Sequence, residues 1–161
     1  APDAGADATG VPFGSADASA LRSLLADLGF VESPASDEPT VDNVFLTALA
    51  RCHHPARGPT DEEVRNCEGF LTAEIRMINP EIILPVGQRP LDALAAEYTT
   101  KRVDDFDAVA DHATTIRGRG FELVPMIAPE EQTDAQLAEL GDHLATLLDR
   151  DYRQTKGRRS R

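Results

Sequence analysis

Two cysteines, Cys52 and Cys67, bracket a loop that also carries His53, His54 and Arg57. Thiols and imidazoles crowded into one short stretch raise metal binding as the first chemistry to consider. An iron–sulfur cluster is normally held by four thiolates, and these two cysteines are spaced far wider than a CxxC pair. Alone they do not make a metal site. Two readings stay open: a pair of ligands within a larger set, or two small buried side chains with no metal. A disulfide would be unusual in an intracellular protein. Adjacent His53 and His54 in a loop point apart, with no carboxylate at ligand spacing beside them, so they do not form a zinc site of their own. His112 and His143 read as solvent-facing residues without a role. No Gly-x-Ser-x-Gly elbow, P-loop or complete Rossmann fingerprint occurs.

The elements that must position this stretch are legible from apolar periodicity. Val44-Phe45-Leu46, after the polar pair Asp42-Asn43, predicts a short buried strand. A loop punctuated by proline and glycine follows from His53 to Pro59. Thr60 and Glu63 then form a capping box. The helix that they open shows one apolar face, Val64, Cys67, Leu71, Ile75 and Ile78, and Asn79-Pro80 stops it. Upstream, residues 1 to 14 read as a loop, and a helix is predicted from Ser15 to Gly29 with Leu21, Leu24, Leu25 and Leu28 on one face. Phe30 to Thr40 reads as surface loop. Downstream, the continuous apolar run Glu81 to Val86 predicts a buried strand of a parallel sheet. Gly87 turns it into a helix from Pro90 to Tyr98. Thr99 to His112 is charged and reads as irregular. Arg117-Gly118-Arg119-Gly120 is a turn, Phe121 to Ile127 a strand, and Thr133 with Gln136 caps a last helix whose face is Leu137, Leu140, Leu144 and Leu147 or Leu148. Alternating strands and helices argue an α/β chain with a parallel sheet covered by helices on both faces.

Taken in order, Asn43, Cys52, Arg57, Pro59-Thr60, Glu62-Glu63, Cys67 and Asn79-Pro80 resemble the signature of the iron–sulfur uracil-DNA glycosylases, within the uracil-DNA glycosylase superfamily. The likeness continues through Glu81-Ile82-Ile83-Leu84-Pro85-Val86-Gly87-Gln88-Arg89 and extends back to Gly10-Val11-Pro12-Phe13-Gly14, so it spans most of the chain; the loop before Pro59 is slightly shorter than the family's. The resemblance implies a three-layer α/β/α sandwich with a short parallel sheet. The sequence starts without Met, near the place where the family's first strand ends, which sets the expectation of an N-terminally truncated chain whose first strand is missing. Residues 1–152 are expected to form the domain and 153–161 a basic, disordered tail.

The same resemblance implies a DNA repair glycosylase that flips uracil out of DNA and cleaves its N-glycosidic bond. An enzyme acting on a base must take it out of the stack and hold it in a pocket. Phe13 stands where the family stacks a ring on the extruded uracil, and Asn43 where an amide reads the uracil edge. An amide oxygen can accept from the ring N–H while its nitrogen donates to the exocyclic oxygen, the reverse of what cytosine offers. From the residues alone, the less favoured alternatives are that Phe13 is a core aromatic at a helix entry and Asn43 the polar cap of a strand. Asp7 is the candidate catalytic acid, beside Ala6, which replaces a carboxylate of the family. Ala128 occupies the position of the family's His after the last strand. The family's second acid would fall before Ala1. This chain is therefore expected to excise weakly or not at all. The alternative is a catalytically impaired, glycosylase-like protein that binds DNA or nucleotide. Arg57, His53, Arg117 and Arg119 are the candidate nucleic-acid contacts. A 4Fe–4S cluster is implied for the full-length protein, with Cys52 and Cys67 supplying two ligands and two more lying upstream; none is expected on this chain alone.

Sixteen basic residues face 28 acidic ones, a net charge of −12, unlike the usual basic nucleic-acid binder. With only Lys101 and Lys156 as lysines, the composition points to a halophilic archaeal source. In molar salt the Debye length is about 3 Å, so an acidic surface repels DNA only at close range. Arg153, Lys156, Arg158, Arg159 and Arg161 concentrate positive charge at the end of the sequence, where they could grip phosphates or simply remain solvated. No apolar run is long enough to span a bilayer and no signal-peptide pattern occurs. The expected setting is a cytoplasmic monomer that acts on uracil-containing DNA and not at a membrane.

Overall fold

The computed structural model describes residues 10, 13–15, 18–35, 39–51, 54 and 56–150. The fold is α/β. Its first helix, α1 (Ser19–Asp27), buries Leu21 and Leu25. It closes where Gly29 takes φ +83, so that the Phe30 N–H reaches back to the Leu25 carbonyl at 2.8 Å. The stretch expected to be plain loop then holds a small hairpin, β1 (Val31–Glu32) antiparallel to β2 (Thr40–Val41), with Val31 opposite Val41. Two-residue strands are too short for periodicity to register.

The capping box forms as the sequence requires. The Glu63 N–H donates to Thr60 Oγ1 at 3.2 Å, and the Thr60 N–H donates to Glu63 Oε2 at 2.7 Å. Together they open α2 (Asp61–Ile78). Asn79 ends it in the left-handed region, φ +50, which asparagine tolerates better than most residues. The expected apolar face is present but only Cys67 is buried along this helix. Leu71, Ile75 and Ile78 look into an open cleft instead. The strand expected at Val44-Phe45-Leu46 is not formed: residues 44–48 pair with no strand among the described residues, and Phe45 is exposed. An apolar triplet has extended propensity, but a strand needs a ladder partner to satisfy its backbone.

The central sheet is ordered β3 (Ile82–Ile83), β5 (Glu122–Leu123), β4 (Ile116–Arg117). β3 and β5 are parallel, as expected, while β4 is antiparallel to β5 and makes the sheet mixed. The turn at Arg117-Gly118-Arg119-Gly120 is thus the corner of a hairpin, closed by the Gly118 N–H on the Phe121 carbonyl at 2.9 Å. The predicted strand from Glu81 to Val86 shortens to β3 because Pro85 has no N–H to give a ladder. Pairing resumes at a single bridge between Val86 and Met126. α3 (Gln88–Tyr98) follows Gly87, and α4 (Asp134–Leu148) starts at a second capping box, Thr133 with Gln136. Leu21 and Leu25 of α1 and Leu140, Leu144 and Leu147 of α4 cluster with Val124 and Met126 after β5. Leu91 and Ala95 of α3 form a second cluster with Phe106 and Ala108, against which Ile116 packs. No described helix is long and apolar enough to cross a membrane.

Glu63 ties the α2 cap to the loop before it. Arg57 grips both of its oxygens, at 2.8 and 3.0 Å. That bond, with the Thr60 N–H, lowers its pKa from 4.5 to about 2. A carboxylate whose folded pKa is depressed stabilises the fold above its unfolded pKa and loses that contribution as pH falls through the folded value. Helix stability should therefore drop between pH 4.5 and about 2. Acid titration followed by circular dichroism should show a shallower loss in that window for Glu63→Gln.

Candidate functional site

Phe13 and Asn43 line one open cleft of about 1640 Å³. Its walls include Leu71, Ile75 and Ile78 of α2 on one side, and Ile82 to Val86 with Pro129 and Glu130 on the other. The segments leaving β3 and β5 in the same direction therefore both reach it, as expected of a ligand crevice at the carboxyl end of parallel strands.

Both of these residues sit in the left-handed region, Phe13 at φ +56 and Asn43 at φ +53. For asparagine this is common. For a bulky aromatic it is an outlier that costs of order 1–3 kcal/mol and persists only where surroundings hold it. Part of that hold is visible: Arg22 on α1 donates from its guanidinium to the Phe13 carbonyl. Phe13 also packs against the core cluster of α1 and α4 while remaining half-exposed to the cleft. The two readings of this ring, core aromatic and cleft residue, are thus both realised by one side chain. Asn43 is exposed.

Three ion pairs surround the cleft or its approach. Arg51 donates to Glu74 at 2.6 Å and to Thr47 Oγ1 at 2.9 Å, and Thr47 donates to the same Glu74 oxygen at 2.8 Å. Arg89 donates to Asp61 at 2.6 Å. Arg57 is engaged by Glu63 and by the Gly58 carbonyl at 2.9 Å, and does not line the cleft. The sequence reading missed Glu74, Arg51 and Arg89. Helical spacing puts Glu74 beside Leu71 and Ile78, which was the available signal.

The other expected site residues fall in several places. Asp7, Cys52 and His53 lie outside the described residues, as does the basic tail. Arg117 is exposed on β4, and Arg119 is exposed in the hairpin corner, where its N–H donates to the Tyr98 carbonyl at 2.8 Å. Neither joins the cleft lining. His54 is exposed and accepts from the Ala56 N–H at 3.2 Å. Cys67 is buried, and its Sγ accepts from the Arg51 N–H at 3.3 Å. The residue immediately before Cys52 is thus held against the Cys67 sulfur. No group of three or more metal-ligating side chains occurs among the described residues.

His112 corrects the sequence reading. It is not solvent-facing but 6% exposed, hydrogen-bonded through both ring nitrogens. His143 is half-buried rather than free in solvent, with Nε2 2.9 Å from Thr115 Oγ1. Both were misjudged because their partners come from segments distant in sequence.

Residues 1–148 match the uracil DNA glycosylase superfamily. The chain belongs to this superfamily. It is 35% identical over 104 residues to the type-5 uracil-DNA glycosylase of Thermus thermophilus, an alignment that covers 61% of this chain and 47% of that protein. It is 35% identical over 130 residues to the type-5 uracil-DNA glycosylase of Pyrobaculum aerophilum, covering 78% and 55%. The type-4 uracil-DNA glycosylase of Archaeoglobus fulgidus is 30% identical over 124 residues, covering 76% and 54%. The chain spans about half the length of these curated relatives.

Gly87 follows the cleft-lining Val86 and is tightly constrained in its backbone. It has φ +87 and ψ 170, a region essentially reserved for glycine. A Cβ added there would lie 3.5 Å from the Ala128 Cβ, an ordinary contact, so the obstacle is backbone strain and not space. Gly87→Ala should destabilise the fold by about 1–3 kcal/mol in urea titrations, whereas Ala at the exposed, unconstrained Gly58 should leave the midpoint nearly unchanged.

Proposed function

We propose that the chain carries the base-reading site of a DNA repair glycosylase that extrudes uracil and cleaves its N-glycosidic bond. The observation that carries this reading is the sharing of one cleft by Phe13 and Asn43, both held in left-handed backbone, within a chain that matches the superfamily. Phe13 covers one face of the extruded base. A flat ring does so at low entropic cost, and stacking of this kind is worth about 1–3 kcal/mol per base. The Asn43 amide accepts from the uracil ring N–H and donates to the neighbouring carbonyl oxygen, a pattern that cytosine inverts. Leu71, Ile75 and Ile82 to Leu84 offer an apolar wall against which a bound base would displace water.

Cleavage leaves positive charge on the sugar and negative charge on the departing uracil. Asp7 is the proposed acid on the sugar side. Ala128, next to the cleft-lining Pro129, offers no donor to the leaving oxygen, so the reaction here leans on Asn43 for that charge and is slow. Replacing Ala128 by His should supply the donor. An increase in kcat of about 10²–10³ with little change in KM is expected if the transition state is short of one preorganised donor. Release of free uracil from a uracil-containing oligonucleotide, read as alkali-labile abasic sites, measures it.

DNA contact is proposed through Arg57, His53, Arg117 and Arg119, with high salt as the working condition. A net charge of −12 leaves little long-range attraction for phosphates, so affinity depends on the base contacts more than on counterion release. The acidic composition and scarcity of lysine fit a halophilic source.

Cys52 and Cys67 are proposed as two ligands of a 4Fe–4S cluster. The Cys67 sulfur is buried and accepts a backbone N–H from Arg51, a bond that would also be available to a metal-bound sulfur. When bound, such a cluster supplies a structural crosslink. On this chain the Arg51 N–H bond to Cys67 Sγ holds residue 51 against α2. Cys67→Ser should lower iron content and visible absorbance of the loaded protein without altering uracil recognition by Asn43, checked by metal analysis and oligonucleotide binding together.

A further inference from the structure

The connection between β5 and α4 forms one wall of the cleft, and a single side chain holds both of its ends. Ile127, just after β5's pairing ends, donates its N–H to His112 Nδ1 at 3.2 Å. The other ring nitrogen, Nε2, lies 2.8 Å from the carbonyl oxygen of Gln136, in the first turn of α4. An amide N–H can only donate and a carbonyl can only accept. The ring must therefore be neutral, with the proton on Nε2 and a free lone pair on Nδ1. The next residue continues the clamp, since the Ala113 N–H donates to the Pro125 carbonyl at 3.0 Å. His112 and Ala113 thus stand in for a strand partner along the run that leads to the cleft.

Between the two clamped points lie residues 128–135, which begin with Ala128, Pro129 and Glu130. Pro129 and Glu130 line the cleft, and the Ala128 methyl packs toward Gly87. The bonds that this short segment makes for itself are local: the Glu131 N–H to the Ala128 carbonyl at 2.9 Å, and the Gln132 N–H to the Pro129 carbonyl at 3.4 Å. The Gly87 N–H on the Met126 carbonyl at 2.7 Å anchors the β5 side, and the imidazole is the side chain that ties this flank to α4.

We infer that His112 is a positioning residue for the cleft: its neutral ring fixes the Ala128–Glu130 wall against β5 and α4, and thereby sets the affinity for the base-bearing strand. The statement about affinity rests on the reading of the cleft as a uracil site. The statement about the clamp does not.

Two conservative variants separate the ring's two bonds. In His112→Asn the amide oxygen falls near the Nδ1 position and can still accept from Ile127. In His112→Gln the amide nitrogen falls near Nε2 and can still donate to Gln136, while the acceptor for Ile127 is lost. Both are measured for thermal unfolding, for hydrogen exchange at the Ile127 amide, and for binding of a uracil-containing oligonucleotide. The expected result is an Ile127 amide protected in the Asn variant and fast-exchanging in the Gln variant. Oligonucleotide binding should be about tenfold or more weaker for Gln than for Asn at matched stability, as expected when a binding wall shifts by a fraction of an ångström or more. Equal exchange in the two variants overturns the clamp. Unequal exchange with equal affinity overturns its role in binding. Failure of the unsubstituted chain to bind the oligonucleotide overturns the uracil reading of the cleft, and the exchange comparison then still decides the clamp.

Discussion

The parallel pairing of β3 with β5 is the constraint on which the rest of the site depends. Parallel strands end at the same edge of a sheet, so whatever follows each of them is delivered to one place. Here the pairing outlasts the strands: Val124 donates to Ile83, Met126 to Pro85, and finally the Gly87 N–H to the Met126 carbonyl at 2.7 Å. That last bond closes the ladder and demands the φ +87 that Gly87 supplies. It also fixes how close the start of α3 can come to Ala128. The cleft opens beyond this seam, with Phe13 and Asn43 brought to it from the N-terminal side.

Charge plays a secondary part around this cleft. Arg51 and Arg89, which line the cleft, each have a carboxylate at 2.6 Å, so both are already paired within the protein. Exposed pairs of this kind contribute little to stability, commonly 0 to about 1 kcal/mol. Their effect on recognition is larger, because a neutralised guanidinium offers less to a phosphate. On the function proposed above, a chain with a net charge of −12 draws its selectivity from shape, stacking and an amide edge. Those short-range interactions survive high salt, whereas phosphate attraction does not.

Much of this architecture was legible in the sequence where local signals are self-sufficient. Thr60 with Glu63 and Thr133 with Gln136 specify helix starts through bonds made within four residues, and both capping boxes form. The apolar run before Gly87 marks β3, and the leucine spacing marks α4. Legibility fails where the deciding partner is remote. Val44 to Leu46 looks like a strand but finds no ladder among the described residues. β4 is invisible because Ile116-Arg117 becomes a strand only by pairing back on Leu123 and Glu122. His112 resembles any polar residue in a charged stretch until Ile127 and Gln136 are folded onto it. At the site, the types of Phe13 and Asn43 were suggestive, but their common cleft and their left-handed backbone are products of the fold.

The central claim is that Phe13 and Asn43 belong to one pocket that reads a uracil base. Titration of free uracil into the isotopically labelled chain at high salt, followed by amide and side-chain NMR, tests it most directly. The account predicts saturable shifts concentrated at Phe13, the Asn43 side-chain amide, Gly87 and Ile127 to Glu130, with cytosine producing far weaker ones. Shifts of equal size with cytosine, or shifts that bypass Phe13 and Asn43, would contradict it.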